Sequence, residues 1–173
     1  MEKELGAVNE NYVEARVIEA LDDLYLALLL WKEGRTRIAA GEAFSAVKAL
    51  LSALVVVNEE KLVKLAKDER EREWIKRRAH TVPTHSMYAV AMVLKGVGID
   101  LTDLTTYAVD LHDYQYNGFE PGFSKYSRRE DVLADLIKVV REALDAVNKH
   151  FPKYALKELA EKVEKLLQDF GSA

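Results

Sequence analysis

The stretch Ala40-Gly41-Glu42-Ala43-Phe44-Ser45-Ala46-Val47-Lys48-Ala49-Leu50-Leu51 forms the middle of a helix predicted from about Thr36 to Val57. Ala39, Ala43, Val47, Leu50, Leu54 and Val57 recur at helical spacing and give it a core face. Gly41, Ser45, Ala49 and Ser52 add a row of small side chains, against which a second helix can pack closely. A helix with two such faces needs neighbours on several sides. The rest of the chain supplies only further helices, since no segment alternates with the period of a strand. The expected fold class is therefore all-α, an antiparallel helical bundle of about five to seven helices.

Upstream, Asn11 and Glu14 match a capping box, and Val13, Val17, Leu21, Leu24, Leu28 and Trp31 follow at helical spacing. From Leu24 onward that helix is apolar nearly all round, so its second half belongs in the centre. Gly34 ends it as a glycine just past a helix does. Downstream, Asn58 marks a break, and Glu59–Ala79 resumes as a helix of mixed charge. Positive charge then gathers in Lys76-Arg77-Arg78, just ahead of His80. Pro83 forbids helix in the residue before it, and Thr84 can cap the helix predicted over His85–Lys95.

Asp100 or Thr102 starts the next helix, which ends in Leu111-His112-Asp113-Tyr114-Gln115-Tyr116-Asn117-Gly118. Leu104, Ala108, Leu111 and Tyr114 or Gln115 make its buried stripe, which sets His112, Gln115 and Tyr116 together on one flank. An aromatic loop follows over Phe119–Phe123. Ser127 and Glu130 form a second capping box for a helix to about His150, and Pro152 opens a last amphipathic helix carrying Leu156, Leu159, Val163 and Leu166 or Leu167. The expected domain organisation is a bundle over residues 1–150 and a C-terminal helix over 151–173, packed on the same domain or at a dimer interface.

Composition narrows the function classes. Without cysteine there are no disulfides, no thiolate nucleophile and no Cys-ligated metal. A net charge of −4 argues against broad, charge-driven nucleic-acid binding while leaving room for a local basic patch. The apolar runs Leu24–Trp31 and Ala49–Val57 fall short of the roughly 20 residues that cross a bilayer. No membrane segment is expected, and the N-terminus lacks the pattern of a signal peptide, so the expected location is cytoplasmic.

Few residues are left to carry chemistry. His80 and His85 flank Pro83 at a spacing that is not a one-turn helical pair, so neither a metal nor a cofactor is expected. None of the serines sits in a nucleophile elbow, and no phosphate-binding glycine loop occurs. Acid–base chemistry on RNA has candidate catalytic residues in His112, or in Arg78 with His85, with Lys76 and Arg77 adding positive charge. The other use of the same residues is binding, with His112, Tyr114, Gln115, Tyr116 and Asn117 around a polar pocket and Lys76, Arg77 and His80 as an anion-binding turn. A structural use competes with both: a His and two Tyr near a helix end can simply anchor the loop that follows.

The Ala40–Leu51 segment resembles the second helix of HEPN (higher eukaryote and prokaryote nucleotide-binding) domains. His80-Thr81-Val82-Pro83-Thr84-His85 together with Leu111–Gly118 is more specifically similar to the archaeal PaREP family, helical proteins related to HEPN domains. The likeness covers roughly residues 8 to 150. It implies an antiparallel bundle, commonly dimeric, in a group that includes nucleotidyltransferase partners and metal-independent RNase toxins. The toxins pair an arginine with a histidine near the start of a late bundle helix; Leu111–Gly118 holds His112 but no arginine. The expectation is a homodimeric accessory or binding protein for a nucleotide, a short RNA or a nucleotidyltransferase-like partner. An RNase and a purely structural helical subunit are the alternatives.

Overall fold

Helix α2 (Thr36–Leu65) stands at the centre of the molecule, and the other helices are arranged around it. A computed structural model describes residues 2–154 and 157–171. It contains α1 (Glu2–Lys32), α2, α3 (Glu69–Arg77), α4 (Met87–Gly96), α5 (Thr102–Asn117), α6 (Arg129–His150) and α7 (Lys157–Gly171), with short 3-10 turns at Ala79–Thr81 and Thr84–Ser86. There is no strand among the described residues, so the chain is an all-α bundle.

The α1–α2 hairpin turns at Gly34, whose φ of 82° is open to glycine and strained for other residues. Val13, Val17, Leu21, Leu24 and Leu28 of α1 are buried against the alanine- and leucine-rich face of α2. Helices α4, α5 and α6 pack on other sides of α2, and α7 closes the bundle against α1 and α6 through Ala160, Val163 and Leu167. Taken whole, α2 is long and apolar enough to cross a membrane, which the two short runs did not reveal, but 72% of its most apolar window is buried inside the bundle.

Several boundaries differ from those expected. Asn11 lies inside α1, not at its start. Asn58 does not break α2: its side-chain amide donates to the Leu54 carbonyl one turn back (2.8 Å), and Leu62 beyond it is buried. The real break falls at Ala66–Lys67. Asp68 then caps α3 by accepting from the Glu71 N–H at 2.8 Å, while the Glu71 carboxylate accepts from the Lys67 N–H at 2.6 Å. Thr84 sits in a 3-10 turn and caps nothing, and α4 begins at Met87. The N-cap of α6 is Arg128, not Ser127; its guanidinium pairs with Asp131 at 3.0 Å. Pro152 lies in a turn ahead of α7, and Leu156 falls outside the described residues.

The aromatic loop after α5 is held from beneath. The Lys125 ammonium sits between the carboxylates of Asp110 (2.6 Å) on α5 and Asp135 (3.1 Å) on α6. The buried Tyr126 hydroxyl donates to Asp135 at 2.7 Å. Burial opposes the Lys125 charge, yet the two carboxylates outweigh it and hold the ammonium above its ordinary pKa. Burial, with Asp135 beside it, pushes the Tyr126 phenol well up.

Candidate functional site

Burial of Leu111 and Tyr114 rotates His112, Gln115 and Tyr116 toward the outer edge of the α2–α5 seam. The His112 ring lies nearly flat on Phe44 of α2, with centroids 4.1 Å apart and planes 24° apart. Tyr116 meets the same imidazole edge-on at 5.0 Å. These are the two favourable geometries for aromatic pairs, and they make a three-ring pile. Phe44 is its buried base, and Tyr116, 66% exposed, is its open end. His112 Nδ1 is buried and has no hydrogen-bond partner.

The rest of Leu111–Gly118 is tied to α2. Gln115 lies against Gly41, where a Cβ would fall 2.4 Å from its amide, so the small-residue row does bring a helix close. The Tyr114 hydroxyl shares a hydrogen bond with the Thr36 hydroxyl at 2.9 Å; this phenol is buried and serves the core side of the seam. Arg37 Nε donates to the Gln115 carbonyl at 2.8 Å and Nη2 to that of Tyr116, so a guanidinium from α2 satisfies carbonyls at the end of α5. The Asn117 amide donates to the Asp113 carbonyl (2.9 Å) and to that of Phe123 (3.4 Å), joining the helix end to the loop.

The second candidate region, residues 76–86, reaches α2 farther along. His80 is half-buried: its carbonyl accepts from Ser52 Oγ at 2.6 Å, and its ring meets Tyr12 of α1 edge-on at 6.2 Å. Thr84 Oγ1 accepts from Lys48 Nζ at 3.4 Å, and the same ammonium lies 5.9 Å from the centre of the Phe44 ring. Gly41, Phe44, Lys48 and Ser52 thus form one row on α2, touching Gln115, His112, Thr84 and His80 in turn. Lys76, Arg77 and Arg78 are exposed at the end of α3, where Arg77 pairs with Glu73 at 3.0 Å. The exposed His85 side chain makes no hydrogen bond, ion pair or ring contact, and among the described residues none joins Arg78 to His85 or either to His112. Val82 between them holds φ at 45°, a conformation costing a β-branched residue on the order of 1–3 kcal/mol, kept by full burial of its side chain.

Sequence reasoning missed the contributions of α1 and α2 to this face. Phe44, Lys48 and Arg37 were hidden inside a helix read as core, although Arg37, Phe44 and Lys48 fall close to one helical row, which was the available signal. On the side of α2 toward α1, the carboxylates of Asp23 and Glu42 lie close enough to interact. Burial first, then the charges of Glu42 and Glu19, push the Asp23 carboxyl up from 3.8 to about 7. Arg16 pairs with Glu19 at 2.5 Å. Among the described residues no group of three or more His, Asp or Glu side chains could hold a metal ion.

No curated protein and no solved structure matches the chain. A family model does, over residues 15–137, from the middle of α1 into α6 and across both candidate regions. By that match the chain belongs to the archaeal PaREP1/PaREP8 family.

Proposed function

We propose that this protein is an accessory binding protein of HEPN type, acting as a homodimer, whose ligand is a nucleotide or short single-stranded RNA taken at the end of α5. The observation that carries this is the ring pile Phe44–His112–Tyr116, anchored at its base and open at its outer face. An exposed aromatic face held by two rings beneath it suits a nucleobase, and such stacking contributes about 1–3 kcal/mol per base. The exposed aromatics Phe119 and Phe123 stand on the adjoining loop, which offers further stacking surface. The surroundings favour binding over catalysis. Arg37, the arginine that the fold brings to the end of α5, donates to two backbone carbonyls, and among the described residues no hydrogen bond, ion pair or ring contact joins Arg78 to His85.

Titration of fluorescent mononucleotides and short single-stranded RNA checks the reading. Tyr116→Ala is expected to weaken binding by about tenfold, in keeping with the loss of one stacked base. His112→Ala, which removes the ring supporting Tyr116, should act in the same direction. Identical titrations of wild type and both variants would remove the site. Light scattering tests the dimer, and a monomer at high micromolar concentration would end that part of the proposal.

A further inference from the structure

A second site lies at the other end of α2. The last turn of α2, α3 and α4 enclose a groove of about 730 Å³, within the range of small-molecule sites, roughly 300–1,000 Å³. Its apolar surface comes from Leu62, Leu65, Trp74, Met92 and Val93. Leu65 is 63% exposed and Met92 46%, so the bundle leaves this surface uncovered. We propose that the groove binds a small amphiphilic carboxylate, its apolar body against Leu62, Trp74 and Met92 and its carboxylate at Lys67 and Arg70.

The anionic head follows from which side chains around α3 already have a partner and which do not. Each of its acids has a partner: the Asp68 side chain accepts from the Glu71 N–H, Glu71 from the Lys67 N–H, Glu69 pairs with Arg72, and Glu73 with Arg77. Lys67, Asp68, Arg70 and Glu71 all line the groove; the two carboxylates are engaged by the backbone N–H groups at the start of α3, whereas neither the Lys67 ammonium nor the Arg70 guanidinium pairs with anything among the described residues. Trp74 and Ser86 line it too, and their side chains make no hydrogen bond there either. The polar side chains of the lining left without any partner are thus two cations, an indole N–H and a hydroxyl, and a ligand that suits them brings acceptors and negative charge. The apolar lining asks for a hydrocarbon or aromatic body attached to that charge.

Decanoate is a suitable probe, titrated into the full chain and followed by calorimetry and by indole emission. Saturable binding is expected with a change in emission that disappears in Trp74→Phe while the heat remains. Lys67→Glu/Arg70→Glu should bind at least about tenfold more weakly. Lys67→Gln/Arg70→Gln, a gentler change, should weaken binding in the same direction, with circular dichroism confirming that both variants fold. Decanol, which has the same tail without the charge, should bind about tenfold more weakly than decanoate. Absence of saturable heat, equal affinity in the folded charge variants, or equal affinity for decanol would each overturn the proposal. So would saturation by an acidic amphipathic peptide with no response to decanoate.

Discussion

At Gly41 the backbone of α2 leaves no room for a side chain unless Gln115 yields. Alanine usually gains about 1 kcal/mol over glycine in a helix interior, and the obstructing amide is the far end of a flexible side chain. Gly41→Ala should therefore be tolerated. Gly41→Leu has no such escape and is expected to cost about 1–3 kcal/mol, part of it recovered by Gln115→Ala. Urea unfolding of the single and double variants measures this, and a double variant no more stable than Gly41→Leu would deny that Gln115 is the obstacle. Asp23 makes a different prediction. Its folded pKa of about 7 lies above its ordinary 3.8, so the folded chain holds a proton that the unfolded chain releases. Its contribution to stability is greatest below 3.8, falls as pH rises, and is gone above about 7. Asp23→Asn should flatten this decline, seen as a difference in Tm across that window; parallel profiles would contradict it. The closeness at Gly41 was readable in the sequence because small residues at helical spacing have few other uses. The proton on Asp23 was not, because it depends first on burial between helices and then on Glu42, which stands on another helix.

At the scale of elements, the segment between α5 and α6 is secured by Lys125 between two acids and by Tyr126 beneath it. Replacing Lys125 with Met leaves Asp110 and Asp135, both largely buried, without their shared cation. A loss of about 1–3 kcal/mol is expected, against about 1 kcal/mol for Tyr126→Phe. Both residues share Asp135, so their effects should be non-additive in a double-mutant cycle. Simple additivity would mean that the two contacts act separately. Helix existence was visible in the sequence, since long stretches of period-3.6 apolar residues leave little choice. Helix boundaries were less so. Asn58 looks like a stop by propensity alone, but its side chain folds back on its own helix, and burial of Leu62 one turn later outweighs a local cost of well under 1 kcal/mol. Ser127 looks like a cap, yet the chain reaches α6 through Arg128 in an extended conformation, with the Asp131 carboxylate as partner. Placing Arg37 under the carbonyls of α5 was beyond any local signal, because the two lie 78 residues apart.

At the scale of the whole molecule, α2 organises everything else. Its N-terminal half and middle carry the row that supports His112 and meets the turn at residues 80–84, and its last turn walls the groove beside α3. The two regions singled out in the sequence are thus joined through a helix that the sequence suggested was core alone. A bundle can bury a helix on most of its circumference and still use one row of it to seat side chains that reach the surface, and the part of that row at Phe44 is where the function is proposed to lie. The apolar character of α2 also bears on the way the chain is made. A segment long and apolar enough to enter a bilayer is exposed to capture from the moment it leaves the ribosome until its neighbours arrive. Helix α1, which packs along most of it, is synthesised first, so the growing chain presents the cover before the surface that needs covering. The order of the first two helices thereby shortens the interval in which the apolar face of α2 stands without a partner.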